Sequence, residues 1–441
     1  MGSRLDPAPL LPGLQRLAGR LLEGVRPPAV GLVRQRIQRP VFDDLDRSVR
    51  WEVRRALEGV APRRIALGVG SRGIANVGAI VASVIEELRA LGFDPLVVPA
   101  MGSHGAATAE GQADLLAGYG IDRSLIRATM ETDVVGEVDG LPVHVDRNVV
   151  EAGAVFLVNR VKPHTSFRGP IESGLAKMCA VGLGKQAGAA VMHSRGPDGL
   201  RDLVPAAARL VAGRGLLLGG LAVLENQGDQ TAEVHGLRGE EVGGEAEAAL
   251  LERARELMPG IPFEDLDVLV IDQLGKNISG AGIDTNVVGR MRVVGQPEPE
   301  PNAVTAIVVL DLTEASHGNA MGIGTADFTT ARVLAGIDFE ATYANGLTAG
   351  VIGLRRVAIP YVMPTDLAAV CAAIASRGRD RPLRLAWITD TLHTDLLGVS
   401  PALLDEARSR DDLQVAREPE PMPFSADGRL RALRSESGEG G

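Results

Sequence analysis

The fold class is decided by residues 63–105, RRIALGVGSRGIANVGAIVASVIEELRALGFDPLVVPAMGSHG. The apolar runs IALGV and PLVVP each end in a glycine-containing turn and are typical of strands, while AIVASVIEELRALG between them repeats apolar residues at helical spacing. A strand, a helix and a second strand in this order form a parallel pair with a right-handed crossover. The alternation continues to residue 160, so we predict an α/β protein built on a parallel sheet.

The alternation restarts close to residue 262. The stretch FEDLDVLVIDQLGKNISGAG begins with an acidic lead-in and a new apolar strand, and VTAIVVLDL and LRLAWITD follow with helical segments between them. We therefore predict an N-terminal parallel-sheet domain over residues 1–262, a smaller C-terminal α/β domain over 263–408, and a polar tail over 409–441 that packs back on the first domain. Because ligand sites favour domain interfaces, we expect the site between the two domains.

Composition excludes several classes of function. The 441 residues carry a formal net charge of -10 with scattered Lys and Arg, so we expect no nucleic-acid partner. The two cysteines, Cys179 and Cys371, lie among small apolar residues, which indicates a reduced compartment without disulfides. The sequence has no secretion-type apolar segment and no membrane-spanning run, so we expect a cytoplasmic protein.

Three histidines occur in turns marked by glycine or proline, beside predicted strand or helix ends. They are His104 in MGSHGAAT, His164 in VKPHTSF and His193 in VMHSRG. Histidine exchanges protons near neutral pH and is also the commonest metal ligand, so either role is open. The structural alternative for each one alone is a turn histidine that caps a helix or packs on a loop.

Other polar residues also follow predicted strands. Arg72 lies between the first strand and a helix, where a guanidinium can bind a carboxylate or phosphate, although an ordinary surface arginine is the alternative. Gln273 and Lys276 in IDQLGKNISG can contact an oxygen-rich anion, and a solvated polar loop is the alternative there. The GVGSRG turn lacks a full dinucleotide fingerprint and no P-loop occurs, which disfavours NAD and P-loop enzymes.

Two lysines, Lys177 and Lys185, lie on the helical stretch between His164 and His193, among small and apolar residues. A partly buried lysine has a lowered pKa and can bond covalently to a carbonyl-type carbon. The alternative is a lysine whose stem covers a helix face while the ammonium stays in water. The residues alone leave the choice between the two lysines open.

Taken in order, these motifs resemble the nickel-dependent lactate racemase family, whose members carry a nickel pincer nucleotide attached to a lysine. The resemblance spans most of residues 64–290 and implies that the first domain holds this cofactor. The family pattern is an arginine after the first strand, Gly-x-His after the second, a histidine loop, the cofactor lysine, a nickel-binding histidine and a Gln-x-x-Lys pair. It falls on Arg72, His104, His164, Lys177, His193, Gln273 and Lys276.

The resemblance implies a racemase or epimerase of a small-molecule 2-hydroxy acid that acts by reversible hydride transfer, with cofactor-synthesis proteins as partners. No side chain accepts hydride, so a cofactor is needed. The resemblance also selects Lys177, which lies sixteen residues before the metal histidine, and makes Lys185 a bystander. It implies these roles: bases, His104 and His164; carboxylate clamp, Arg72; substrate contacts, Gln273 and Lys276; covalent cofactor attachment, Lys177; nickel ligand, His193.

Two departures from the family pattern bear on the substrate. The clamp arginine follows Gly70-Ser71 rather than an acidic residue and threonine, and SFRGPIESGLAK with Glu172 replaces a glycine-rich approach to the lysine. These differences imply a reshaped pocket and a 2-hydroxy acid that need not be lactate.

Two alternative functions remain. The first is a metal-dependent hydrolase that uses His104, His164 and His193 as its metal site, although such sites usually add an acidic ligand or a close His-x-His pair. The second is a non-catalytic protein that binds a small anion.

Overall fold

The computed structural model describes residues 4–36, 42, 44–70, 74–102, 104–299, 304–378 and 380–433. The strands are β1 (Ala29–Gln35), β2 (Arg64–Val69), β3 (Asp94–Pro99), β4 (Thr132–Val138), β5 (Leu141–Asp146), β6 (Val155–Arg160), β7 (Leu217–Glu225), β8 (Thr231–Arg238), β9 (Leu266–Leu274), β10 (Val304–Leu312), β11 (Phe328–Thr330), β12 (Tyr361–Met363), β13 (Leu385–Ile388), β14 (Leu396–Val399) and β15 (Leu413–Pro421). The α-helices are α1 (Leu11–Leu21), α2 (Leu45–Ala56), α3 (Val77–Ala90), α4 (Ala109–Gly118), α5 (Arg147–Ala152), α6 (Leu175–Lys177), α7 (Lys185–His193), α8 (Gly196–Gly213), α9 (Glu245–Leu257), α10 (Ala331–Gly336), α11 (Phe339–Thr348), α12 (Gly353–Arg356), α13 (Asp366–Ser376) and α14 (Pro401–Arg408).

The chain divides into two compact units. The central unit is Arg39–Met258, and the terminal unit combines Met1–Gln38 with Pro259–Gly441. Both units contain mainly parallel sheets with intervening helices, so the α/β class predicted from the sequence is confirmed.

The expected domain limits differ from these units at both ends of the chain. Residues 1–38, expected in the first domain, belong to the terminal unit because β1 pairs antiparallel with β14 and β15. The expected tail over 409–441 contains β15, and Met422, Leu430 and Leu433 beyond it are buried in the same unit. With residues 1–38 added, the terminal unit is nearly equal in length to the central unit rather than smaller.

The sheet of the central unit has the order β3-β2-β6-β7-β8, with β8 antiparallel to β7 and the other pairs parallel. Alternate residues of a strand lie on opposite faces. Accordingly, Ala66 and Leu157 belong to one buried cluster, and Leu67 and Phe156 belong to another. The parallel strands all end at one edge of the sheet, where α/β proteins usually bind ligands.

The sheet of the terminal unit has the order β12-β11-β10-β9-β13-β14-β1-β15, parallel from β12 to β13 and antiparallel beyond. Trp387 on β13 is fully buried, and its Nε1–H donates to Oδ1 of Asp272 at 2.6 Å. The other oxygen of this carboxylate accepts from the backbone N–H of Leu433 at 2.9 Å. The last described residues are therefore held to the end of β9 by one buried carboxylate.

Across the described ranges, none of the helices combines the length and the apolar character that crossing a membrane requires.

The Asp272 carboxyl gives the terminal unit a specific pH dependence. Burial raises its pKa from 3.8 to about 7. Between these pH values Asp272 keeps its proton in the folded protein and loses it in the unfolded chain. The contribution of Asp272 to the free energy of unfolding therefore falls as pH rises and is constant above about pH 7. The total loss is about 4 kcal/mol.

We predict that Asp272→Asn removes this pH dependence, although it also lowers absolute stability because an amide cannot accept both N–H groups. Denaturant unfolding at pH 5 and pH 8 measures the effect by tryptophan fluorescence, in a Trp51→Phe background in which Trp387 is the only tryptophan. An equal pH dependence in both proteins would show that Asp272 does not titrate in this range.

Candidate active site

A cavity of about 390 Å³ lies in the central unit at the carboxyl ends of the parallel strands. It is lined by Ile74 beyond β2, by the turn after β3 and by the end of β6. The helical stretch from α6 to α7 supplies the rest of the lining. Three residues proposed from the sequence line it: His104, Lys177 and His193.

Lys177 is a half-buried residue at the end of α6, followed by a π-helical turn over Met178–Gly182. Among the described residues its ammonium has no hydrogen-bond or ion-pair partner. Burial, together with the smaller effect of the positive charge of Lys162, lowers the pKa of Lys177 to about 8. A substantial fraction of the side chain is therefore a neutral, nucleophilic amine near physiological pH.

A buried carboxylate fixes the start of this helical stretch. Glu247 is fully buried and accepts the backbone N–H of Ala176 at 3.1 Å and that of Gly243 at 2.8 Å. Gly174 has φ +135°, and a Cβ at this position would lie 2.4 Å from Oε1 of Glu247. A glycine is required here both by the backbone conformation and by the close approach of the carboxylate. Lys177 is thus carried on a short helix whose first turn cannot shift freely.

His104 is an exposed residue of the turn after β3, between Gly102 and Gly105, which both have positive φ. The side-chain amide of Gln112 donates to the carbonyl of Gly102 at 2.9 Å and to that of His104 at 3.2 Å. The N–H of Gly102 donates to the carbonyl of Gly182 at 3.0 Å. The histidine turn is therefore bonded to the π-helical turn that follows Lys177.

His193 lies at the end of α7 with an exposed side chain. Its Nδ1 is 2.7 Å from the carbonyl oxygen of Ala189. A carbonyl only accepts, so Nδ1 carries the hydrogen, and the lone pair of the neutral ring is on Nε2. This tautomer is the one that a metal ligand bonding through Nε2 requires.

The end of β6 adds positive charge to the cavity. Arg160 and Lys162 line it together with Lys177. Arg160 forms an ion pair with Glu225, whose other oxygen accepts the N–H of Ala75 at 2.6 Å. Because Glu225 offsets the charge of Arg160, the preference of the lining for an anionic ligand depends on Lys162 and Lys177.

His164 is not among the residues that line the cavity. Its Nδ1 accepts the N–H of Ser166 at 3.1 Å, and its ring lies 4.6 Å from that of Phe167. The loop around it is organised by Glu172, a buried carboxylate that accepts the N–H of His164 at 2.7 Å and contacts Arg255 at 2.7 Å. Glu172 thus stabilises this loop through both of its carboxylate oxygens.

Three expected residues remain, Arg72, Gln273 and Lys276. Arg72 falls outside the residues that the structure describes. Gln273 is in the terminal unit, where it lines a separate cavity of about 540 Å³ with Asp272 and Arg332. Lys276 is in the same unit; its ammonium donates to the carbonyl of Gly280, and burial lowers its pKa.

The sequence patterns did not predict a buried polar network around Lys185. Lys185 is fully buried, with Nζ 2.9 Å from Oδ2 of Asp146 and 3.1 Å from Oε1 of Gln112. These partners are distant in the sequence, so local patterns do not reveal them. The available signal is the scarcity of lysine: Lys and Arg number 46 together, yet the only lysines are Lys162, Lys177, Lys185 and Lys276.

In the part of the chain that the structure describes, no three His, Cys, Asp or Glu side chains are grouped so that they could hold a metal ion.

The environment of Lys177 predicts unusual amine reactivity. In competitive labelling with trace acetic anhydride, we expect the Lys177 peptide to reach half of its maximal rate near pH 8, whereas an ordinary lysine does so at about 10.4. Lys162→Gln removes a repelling charge and is expected to raise this midpoint. A midpoint above pH 10 for Lys177 would contradict its assignment as a desolvated amine.

The chain was compared with known proteins. No protein-family model matches it, and no curated protein matches it. Its structure is similar to that of the lactate racemase apoprotein from Thermoanaerobacterium thermosaccharolyticum, with 12% identity, 83% of this chain and 99% of that chain covered, and a TM-score of 0.46. It is also similar to a Thermotoga maritima protein solved by a structural genomics consortium, with 14% identity, 62% of this chain and 71% of that chain covered, and a TM-score of 0.45. Similarities of this size do not assign the chain to a family.

Proposed function

We propose that the protein is an isomerase that inverts a 2-hydroxy acid with a nickel pincer nucleotide attached covalently to Lys177. The observation that carries this proposal is the half-buried Lys177 amine without a described partner, in one cavity with His104 and His193. The identity of the cofactor comes from the ordered resemblance of the motifs to the nickel-dependent lactate racemase family.

The residues that line the cavity fit such a cofactor. The Lys177 amine is a nucleophile that can form the covalent link. The lone pair on Nε2 of His193 suits a nickel ion, for which imidazole is a common ligand. Arg160 and Lys162 match the negative charge of a nucleotide phosphate. When bound, the cofactor supplies a carbon that accepts hydride from the substrate and returns it.

The protein's own contribution is to move the hydroxyl proton. In our proposal His104 takes this proton from one enantiomer and gives it back when the hydroxy acid is re-formed. Histidine is the side chain that most readily takes up and returns a proton in the neutral pH range, which suits both halves of this exchange. The turn between Gly102 and Gly105 lets the backbone approach the cavity without side-chain obstruction.

His164 is proposed as the base for the mirror-image enantiomer. The bond from Ser166 N–H to Nδ1 puts the hydrogen of the neutral ring on Nε2. A base function at Nε2 needs the other tautomer, so we propose that the loop around Glu172 rearranges when substrate binds. His104 lines the cavity, whereas His164 does not, so His104 is proposed as the primary base.

Substrate recognition is proposed to use Arg72 as the carboxylate clamp, with Gln273 and Lys276 as further contacts. A guanidinium binds a carboxylate through two parallel hydrogen bonds, and an amide and an ammonium donate to the remaining oxygens. We propose a 2-hydroxy acid as the substrate class, because its carboxylate and hydroxyl need both a cationic clamp and a base.

Small-anion binding without catalysis is the second candidate, favoured by the positive lining from Arg160, Lys162 and Lys177. The two functions differ in the need for histidine. If the protein only binds an anion, it catalyses no inversion, and replacing His104 leaves the anion affinity unchanged. If the protein is an isomerase, the same replacement abolishes turnover.

We predict that His104→Gln and His164→Gln, loaded by co-expression with cofactor-synthesis proteins, each reduce inversion by about 10²- to 10⁴-fold. Each variant keeps the base for one enantiomer. The test is a single-turnover reaction quenched with acid, first with D- and L-lactate and then with larger 2-hydroxy acids. Each variant should form the 2-oxo acid from one enantiomer only, and the two variants should act on opposite enantiomers.

His235→Gln is the control, because His235 is bonded to Glu233 and does not line the cavity. It is expected to invert at the unaltered rate. Full inversion by either His104→Gln or His164→Gln would refute the two-base assignment.

A further inference from the structure

We propose that Lys185 and Gln112 are positioning residues that hold His104 through a buried hydrogen-bond relay. This inference rests on the proposed function, in which His104 is a base. It reverses the interpretation of Lys185 as a bystander, because the structure connects this lysine to the histidine turn through one side chain.

The relay has an unambiguous direction. The Lys185 ammonium only donates, and it is 3.1 Å from Oε1 of Gln112. Oε1 must therefore face the ammonium, which turns Nε2 of Gln112 toward the carbonyls of Gly102 and His104. Both Lys185 and Gln112 are completely buried. The lysine thus selects the orientation of the amide, and the amide holds the two carbonyls.

A second contact fixes the ammonium itself. Lys185 also donates to the carbonyl of Pro99, the last residue of β3. Its counter-ion is Asp146, which accepts the N–H of Asn148 at 2.8 Å at the start of α5. The ammonium is therefore tied both to the strand that leads into the histidine turn and to a carboxylate that is itself held in place.

Lys185 carries two energetic costs that a simple structural role does not explain. Burial opposes its charge and lowers its pKa, an effect that Asp146 only partly offsets. Its backbone has φ +53°, in the left-handed region that non-glycine residues avoid. A buried ion pair is often no more stabilising than apolar residues of similar volume. Fixing the orientation of Gln112 is the effect that an apolar residue cannot reproduce.

His104 needs such a hold because its side chain is exposed and its neighbours Gly102 and Gly105 are conformationally permissive. A displacement of about 1 Å in a reacting group can cost about 100-fold in rate. The two bonds from Gln112 to the carbonyls of Gly102 and His104 therefore fix the backbone that sets the position of the His104 side chain.

The relay can be broken in two matched ways. Gln112→Met removes both carbonyl contacts and leaves the Lys185–Asp146 pair intact. The double variant Lys185→Met/Asp146→Asn removes the ammonium and the charge of its partner together, and asparagine preserves the cap on α5. Glu87→Gln is the control, because Glu87 is an equally buried, ion-paired carboxylate of the same unit that contacts Arg54 rather than the site.

The first readout is made on the protein without cofactor. The chain has seven histidines, so ring ¹H–¹⁵N spectra can resolve His104, assigned with His104→Gln. We expect both relay variants to shift the His104 signals and to accelerate amide hydrogen exchange in residues 100–108 by about tenfold. Glu87→Gln should change neither. Unchanged His104 signals in both relay variants would overturn the inference.

The second readout uses protein loaded by co-expression, with D- and L-lactate as probes. We expect kcat to fall by about 100-fold in the relay variants while KM and the mass of the loaded chain stay unchanged. A rise in KM with kcat unchanged would overturn the positioning role. A wild-type chain that acquires no cofactor would instead refute the proposed function, and the spectra of the cofactor-free protein would still decide the inference.

Discussion

The Lys177 ammonium loses hydration on burial and gains no counter-ion from the described residues, so the surrounding structure must hold an unfavourable charge in place. Gly174 and Glu247 provide this hold by fixing the first turn of the short helix that ends at Lys177. The same desolvation makes the amine reactive. The energetic cost and the proposed chemistry therefore come from one feature of the central unit.

Buried carboxylates recur as the devices that shape the loops at this edge of the sheet. Glu247 accepts backbone N–H groups below Lys177, Glu172 does so in the His164 loop, and Asp146 does so at the start of α5. Burial raises the pKa of each of these carboxyl groups because it disfavours the charged form. The N–H groups and cations that contact these carboxylates offset part of this cost. These polar contacts act together with apolar packing, since Phe167 and Ile171 of the His164 loop belong to the buried core of the central unit.

The sequence predicted what is local. Strands, glycine turns and helices between residues 64 and 160 indicated the α/β class. His104, predicted in a turn after a strand, lines one cavity with Lys177 and His193, which were predicted on or beside a helical stretch. Long-range pairings were not predictable in this way. The strand β1 joins β14 and β15 across most of the chain, and β15 alternates charged residues with few apolar ones, so it resembled a polar tail. Lys185 has the same small, apolar neighbours as Lys177, and only the fold shows that Asp146 and Gln112 surround it.

We propose that Lys177 holds a nickel-containing cofactor, and the most direct test is the intact mass of the chain co-expressed with cofactor-synthesis proteins, with peptide mapping and nickel content on the same sample. We predict an adduct on the Lys177 peptide with equimolar nickel, absent from Lys177→Arg and present in Lys162→Arg. An unmodified Lys177 peptide, under conditions that load a known member of the nickel-dependent racemase family, would contradict it and favour the anion-binding function.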